Sequence, residues 1–301
     1  LLTMNLYSSF CFSQFIVLYK RVGDLMGNNV IGFYDSGVGG LSVLKVALNK
    51  IKNKNFVFFG DTLRMPYGAR TNEEIKNYTM EVMGFFKDLD VDLSIIACNT
   101  ATSHGLKESN ERYKYPIIGV VEPGSENALE RTKTKRVALV ATKSCVESGV
   151  YDKVLKSMDP SIELRSVYCP DLTLAIERGE FEEEYMDGIV KKYLDYFEDY
   201  DFDTMILGCT HYPLVEDSFK RILKKQGKKV LMVDPAYKTV LDAMNILKIE
   251  KDNQEIPNRT IDFYITGDIN LFRSTMEKIV DLSDFKVSFH QVDIKDLEKY
   301  R

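Results

Sequence analysis

Short apolar runs alternate with longer amphipathic stretches from Val30 onward, and most of the runs end at glycine, cysteine or a polar residue. Short apolar runs bounded by turn residues read as buried strands; stretches with apolar positions three and four apart read as helices. On that basis Val30–Tyr34 is a strand ending in Asp35-Ser36-Gly37-Val38-Gly39-Gly40, and Leu41–Asn49 is a helix. Phe56–Phe59 is the next strand, followed by Gly60-Asp61-Thr62 and the turn Pro66-Tyr67-Gly68. Thr71-Asn72-Glu73-Glu74 carries a helix-start signal, and its helix runs to Phe86. A strand through Ile95-Ile96, a helix near Ser103–Arg112 and the strand Ile117–Val120 follow.

Beyond Pro123-Gly124 the pattern restarts. Arg136–Val140, Ile162–Tyr168 and Met205–Leu207 read as strands, with helices predicted at Ser148–Met158 and Phe181–Tyr200. Pro123 and Pro235 mark equivalent switch points, so the remaining chain is expected to return to the first half. It carries a strand at Phe263–Thr266, a helix around Asn270–Val280 and one more strand beyond Asp284. Strands alternating with helices imply parallel βαβ units. The fold class expected is α/β, two similar pseudo-symmetric domains with largely parallel sheets and a site in the cleft between them. The boundaries expected are 30–122 plus 235–301 for one domain and 123–234 for the other.

Composition narrows the function classes. A net charge of −5 and no long basic run argue against nucleic acid as a partner. Five cysteines, an odd number without framework spacing, point to a reducing compartment, with the cytoplasm as the expected location. The apolar run Leu6–Tyr19 has its charges, Lys20 and Arg21, on the wrong side for a signal peptide. It is also too short to span a membrane, so no membrane partner is expected. Residues 1–29 read as a poorly ordered leader, and a chain starting at Met26 is expected to fold and act like the full one.

Two stretches share one grammar. Asp92-Leu93-Ser94-Ile95-Ile96-Ala97-Cys98-Asn99-Thr100 and Asp203-Thr204-Met205-Ile206-Leu207-Gly208-Cys209-Thr210-His211 match position by position. Each is an acid, an apolar strand, a small residue, a thiol and a polar turn. Chemistry in open α/β sheets gathers beyond the carboxyl ends of strands. A thiol placed at a helix start is expected to have its pKa lowered and to serve as acid or base. One from each half of a pseudo-symmetric pair suits removal of a proton from one face of a carbon and its return to the other. Cys145 and Cys169 read as core thiols, and His104 and His290 as ordinary histidines. Cys98, Cys209 and His211 lack zinc-site spacing, so no metal is expected. Asp35-Ser36-Gly37-Val38-Gly39-Gly40 fits a dinucleotide loop poorly, and Asp35 is better suited to an ammonium group or to tuning a thiol. Pro66-Tyr67-Gly68 alone would be a plain turn; Asn99, Thr100 and Thr210 serve equally as helix caps or ligand donors. Glu177 by composition is an exposed helix-end acid.

Together, D-S-G-V-G-G at 35–40, P-Y-G at 66–68, A-C-N-T at 97–100 and G-C-T-H at 208–211 resemble the glutamate racemases. The resemblance runs from Ile31 to about Phe272. It implies interconversion of L- and D-glutamate without a cofactor, supplying D-glutamate for peptidoglycan. By the family pattern Cys98 and Cys209 are the acid/base thiols, assisted by Asp35 and His211, with Glu177 partnering the histidine. Asp35, Ser36, Tyr67, Gly68, Asn99, Thr100, Thr210 and His211 would contact substrate. Thr142 would join them, although Cys145 stands where the family usually has a second threonine. Nothing suggests a Schiff-base lysine, so the site must stabilise a carbanion-like centre with hydrogen-bond donors. The alternatives are an aspartate racemase, which tends to carry an acid where His211 stands, and a binding protein that clamps an acidic amino acid. The oligomeric state is left open, a homodimer being one option.

Overall fold

Among the described residues the apolar runs form ten strands in two sheets, and the polar turns that end them collect on one side of each. The computed structural model describes residues 29–301; the leader expectation for residues 1–28 lies outside them. The first half runs β1 (Val30–Asp35), α1 (Leu41–Lys50), β2 (Asn55–Gly60), α2 (Asn72–Asp88), β3 (Leu93–Ile96), α3 (Asn99–Arg112), β4 (Ile117–Gly119) and α4 (Val121–Arg131). The second runs β5 (Arg136–Ala141), α5 (Lys143–Ser148), α6 (Val150–Met158), β6 (Glu163–Tyr168), α7 (Pro170–Glu177), α8 (Glu183–Leu194), β7 (Thr204–Gly208), α9 (Glu216–Lys225) and β8 (Leu231–Val233). Then come α10 (Ala236–Ile246), β9 (Thr260–Ile265), α11 (Ile269–Ile279) and β10 (Lys286–Gln291).

The first sheet has the order β10-β9-β2-β1-β3-β4 and the second β6-β5-β7-β8. Every pairing is parallel. The repeat read from sequence is therefore topological: β2-β1-β3-β4 and β6-β5-β7-β8 have the same order, with β1 and β5 central. The last two strands extend the first sheet beyond β2. Both faces of each sheet are covered, as parallel sheets require. In β1, Ile31 and Phe33 pack into one core and Val30 and Tyr34 into the other. In β5, Ala138 and Val140 face one layer and Val137, Leu139 and Ala141 the opposite one.

Local chemistry sets the helix starts. Thr71 and Glu74 form a reciprocal capping box at α2, and Pro170 opens α7 at a position that needs no N–H donor. Helix bounds differ from expectation in places. The helix expected at Ser148–Met158 is α6, starting at Val150; Gly149, whose φ of +64° suits glycine, separates it from α5, which was not expected. The long helix expected to Tyr200 ends at Leu194 and tightens into a 3₁₀ turn over Asp195–Phe197. Pro123 and Gly124, where the sequence pattern restarts, lie in the first turn of α4, where a proline costs no hydrogen bond. Among the described residues no helix is long and apolar enough to cross a membrane.

Candidate active site

A cavity of about 470 Å³ opens between the carboxyl ends of the two sheets. Ser36, Tyr67, Gly68, Cys98, Asn99 and Thr100 line it from the first half, and Thr142, Glu177, Cys209, Thr210 and His211 from the second. Every site residue expected from the sequence except Asp35 thus reaches one cavity. Asp35 is fully buried just behind the wall. Its Oδ1 accepts from the Gly37 N–H at 2.9 Å and its Oδ2 from the Thr210 hydroxyl at 3.1 Å.

Cys98 ends β3 and caps α3, its Sγ accepting from the Ala101 N–H at 3.5 Å. Ser36 Oγ lies 3.7 Å from the same sulfur. The expected lowering of this thiol by the helix start does not occur. Burial, followed by the Asp35 charge, outweighs the helix N–H and Ser36 and pushes Cys98 up to about 12. Relative to an ordinary thiol that is about 4 kcal/mol against ionisation. Cys98 rests as a thiol. Burial also raises Asp35, to about 6, against the opposing pull of His211 and its two hydrogen bonds.

Cys209 sits in a different setting. It ends β7, but the 3₁₀ turn Tyr212–Val215 separates it from α9, so it does not cap a helix. His211 Nδ1 lies 3.4 Å from Cys209 Sγ, and His211 Nε2 pairs with Glu177 Oε1. Burial alone would lower the imidazole's pKa; the Glu177 carboxylate and Cys209 outweigh it and hold the ring charged, well above its ordinary value. The ring therefore donates from both nitrogens, one toward the sulfur and one to the carboxylate. Glu177, read from composition as an exposed acid, is largely covered: its side chain is 15% exposed against 5% for His211.

The two halves meet closely across the cavity. Thr100 and Thr142 share a hydrogen bond between their hydroxyls at 2.8 Å. The Tyr151 hydroxyl donates to Asn99 Oδ1 at 2.6 Å, fixing the orientation of that amide. The glycines after β1 are spacers, not a phosphate cradle. A Cβ on Gly37 would lie 2.7 Å from Glu177 Oε1, and one on Gly39 would lie 2.4 Å from Thr210 Oγ1. Sequence reasoning missed Thr173, whose hydroxyl lies 4.0 Å from Cys209 Sγ and 3.4 Å from the Tyr212 hydroxyl. Its place four residues before Glu177, on the same face of α7, was the available signal. It also missed Tyr151, whose bond to Asn99 joins residues far apart in the chain.

A model of the Asp/Glu/hydantoin racemases matches residues 45–241. The chain belongs to that family. It is 36% identical over 254 residues to the glutamate racemase of Bacillus cereus, a match covering 83% of this chain and 93% of the relative. The crystal structure of a Bacillus anthracis glutamate racemase superimposes with a TM-score of 0.79 at 32% identity, covering 88% of this chain and 98% of that one. Glutamate racemase from Francisella tularensis, solved with D-glutamate, gives 0.81 at 28% identity, covering 89% and 99%. The fold expected from sequence, paired α/β units with parallel strands, is that of these racemases, and the resemblance on the four motifs holds over most of the chain.

Proposed function

We propose that this chain interconverts L- and D-glutamate by proton transfer between Cys98 and Cys209, with no cofactor. One observation carries the reading: two thiols at equivalent strand ends, β3 and β7, reach a single cavity from opposite halves. Binding alone has no use for that pair.

The substrate's α-carbon lies between the sulfurs. Its α-carboxylate is met by the Thr100 hydroxyl and the backbone N–H groups of Asn99, Thr100 and Thr210, which also disperse charge as the α-proton leaves. Thr210 gives its proton to Asp35, so its lone pairs remain free to accept from an ammonium. Asp35 thereby acts on the substrate through Thr210. From L-glutamate, Cys209 takes the α-proton beside the charged His211, and the Cys98 thiol returns one on the other face. From D-glutamate the roles reverse. Glu177 holds His211 in orientation, as a carboxylate does for many catalytic imidazoles. The product is D-glutamate for peptidoglycan, made in the cytoplasm. The two lobes that close on the substrate are 30–122 with 235–301, and 123–234.

Pure L-glutamate incubated with the protein and a thiol reductant, with nothing else added, is expected to lose its optical rotation. Unchanged rotation, or L-aspartate racemised as fast as L-glutamate at saturation, would contradict the proposal.

A further inference from the structure

Between β2 and α2 the chain passes through residues 61–71 with only one short 3₁₀ turn, Tyr67–Ala69, yet Met65 through Arg70 form a wall of the cavity. A wall made of loop must be fixed from behind. Arg64 does not line the cavity; its side chain turns inward and is 7% exposed. Its Nε donates to Asp61 Oδ2 at 2.7 Å and its Nη1 to Glu81, and its guanidinium lies over the Tyr78 ring at 4.0 Å. Asp61 and Glu81 are themselves fully buried. Asp61 accepts from the Tyr67 hydroxyl, and Tyr67 shares a 2.6 Å hydrogen bond with Tyr34 of β1. Asp61 Oδ1 also accepts from Thr266 at 2.9 Å, just beyond β9. The backbone carbonyl of Arg64 accepts from Arg70 Nε at 3.0 Å, closing the loop on itself.

We propose that Arg64 is a positioning residue for glutamate: through Asp61 it fixes the Tyr67-Gly68 wall against the first sheet, and through Glu81 it ties that wall to α2. This rests on the racemase reading given above and assigns a role within its site. A guanidinium is required because its planar fork can bond two carboxylates while its face covers an aromatic ring. Lysine keeps the charge but reaches one carboxylate at a time, so Arg64→Lys loosens the wall without stranding an uncompensated buried charge.

A wall that holds substrate and transition state alike changes KM and leaves kcat nearly untouched, and a displacement near 1 Å is enough for a large effect. Arg64→Lys is therefore expected to raise KM for both enantiomers, and the calorimetric Kd for L-glutamate, by about tenfold, with kcat within about twofold. A role in stability alone would lower the melting temperature and the active fraction and leave KM and Kd where they were; that result in a folded Arg64→Lys protein overturns the proposal. Should Arg64→Lys fail to fold, Glu81→Gln decides by the same criterion, because it weakens the tie to α2 at a residue that does not line the cavity. Wild-type turnover in the same assay tests the racemase reading, and the ratio of variant to wild-type Kd tests this one, so either can fail without the other.

Discussion

Burial decides the acid–base properties of Cys98 and Asp35. The sequence placed Cys98 at a helix start, which favours a thiolate, but said nothing about how completely the cleft excludes water. In the structure desolvation is the larger effect, so Cys98 rests protonated. The same physics raises Asp35 to about 6. Ionised Asp35 accepts on both oxygens, from Gly37 and from Thr210, and so leaves the Thr210 lone pairs for an ammonium. As pH falls through about 6 Asp35 takes up a proton, so kcat/KM, which reports the free enzyme, is expected to fall on its acid side near that value. In Asp35→Asn this limb should disappear along with most of the activity; an unchanged pH profile in the variant would show that Asp35 does not set it. The four motifs made the cavity-lining residues legible because each lies within a few residues of a strand end. Tyr151 and Arg64 were not legible in this way. Their partners, Asn99 and Glu81, are brought to them by tertiary packing and leave no spacing signal.

At the level of elements, the strands were readable because buried parallel strands are continuous apolar runs with abrupt polar ends. The repeat was readable because the order of runs recurs. Helices that begin at proline were not. Pro123 lies in the first turn of α4, and Pro235 is the residue before α10. Proline read as punctuation hides a helix when it falls where no N–H donor is needed. The glycines after β1 make the opposite point. Gly37 and Gly39 were read as loop residues, yet what fixes them is the second half of the molecule packed against them. Neither has a left-handed φ, so the requirement is for space. Gly39→Ala would place a methyl against Thr210 and His211. It is expected to cost about 1–3 kcal/mol in urea denaturation and to lower kcat/KM by tenfold or more by displacing those two side chains. Near-normal kcat/KM would mean the two loops tolerate separation and the contact is incidental.

At the scale of the whole molecule, two halves of like topology present unlike thiols. Cys98 has a helix start, Ser36 and the buried Asp35 beside it; Cys209 has the charged His211 held by Glu177. In the proposed mechanism topological symmetry supplies opposed proton carriers, and burial leaves Cys98 holding its proton. Full racemisation needs both sulfurs, but each can still exchange the proton on its own face. The most direct measurement is proton NMR of α-proton exchange in deuterated solvent, run on each enantiomer with Cys98→Ala and Cys209→Ala. The account predicts that Cys98→Ala exchanges L-glutamate and not D-glutamate, that Cys209→Ala does the reverse, and that neither racemises at a useful rate. If both variants exchanged the same enantiomer, or if either kept near-normal racemisation, the paired-thiol account would be contradicted.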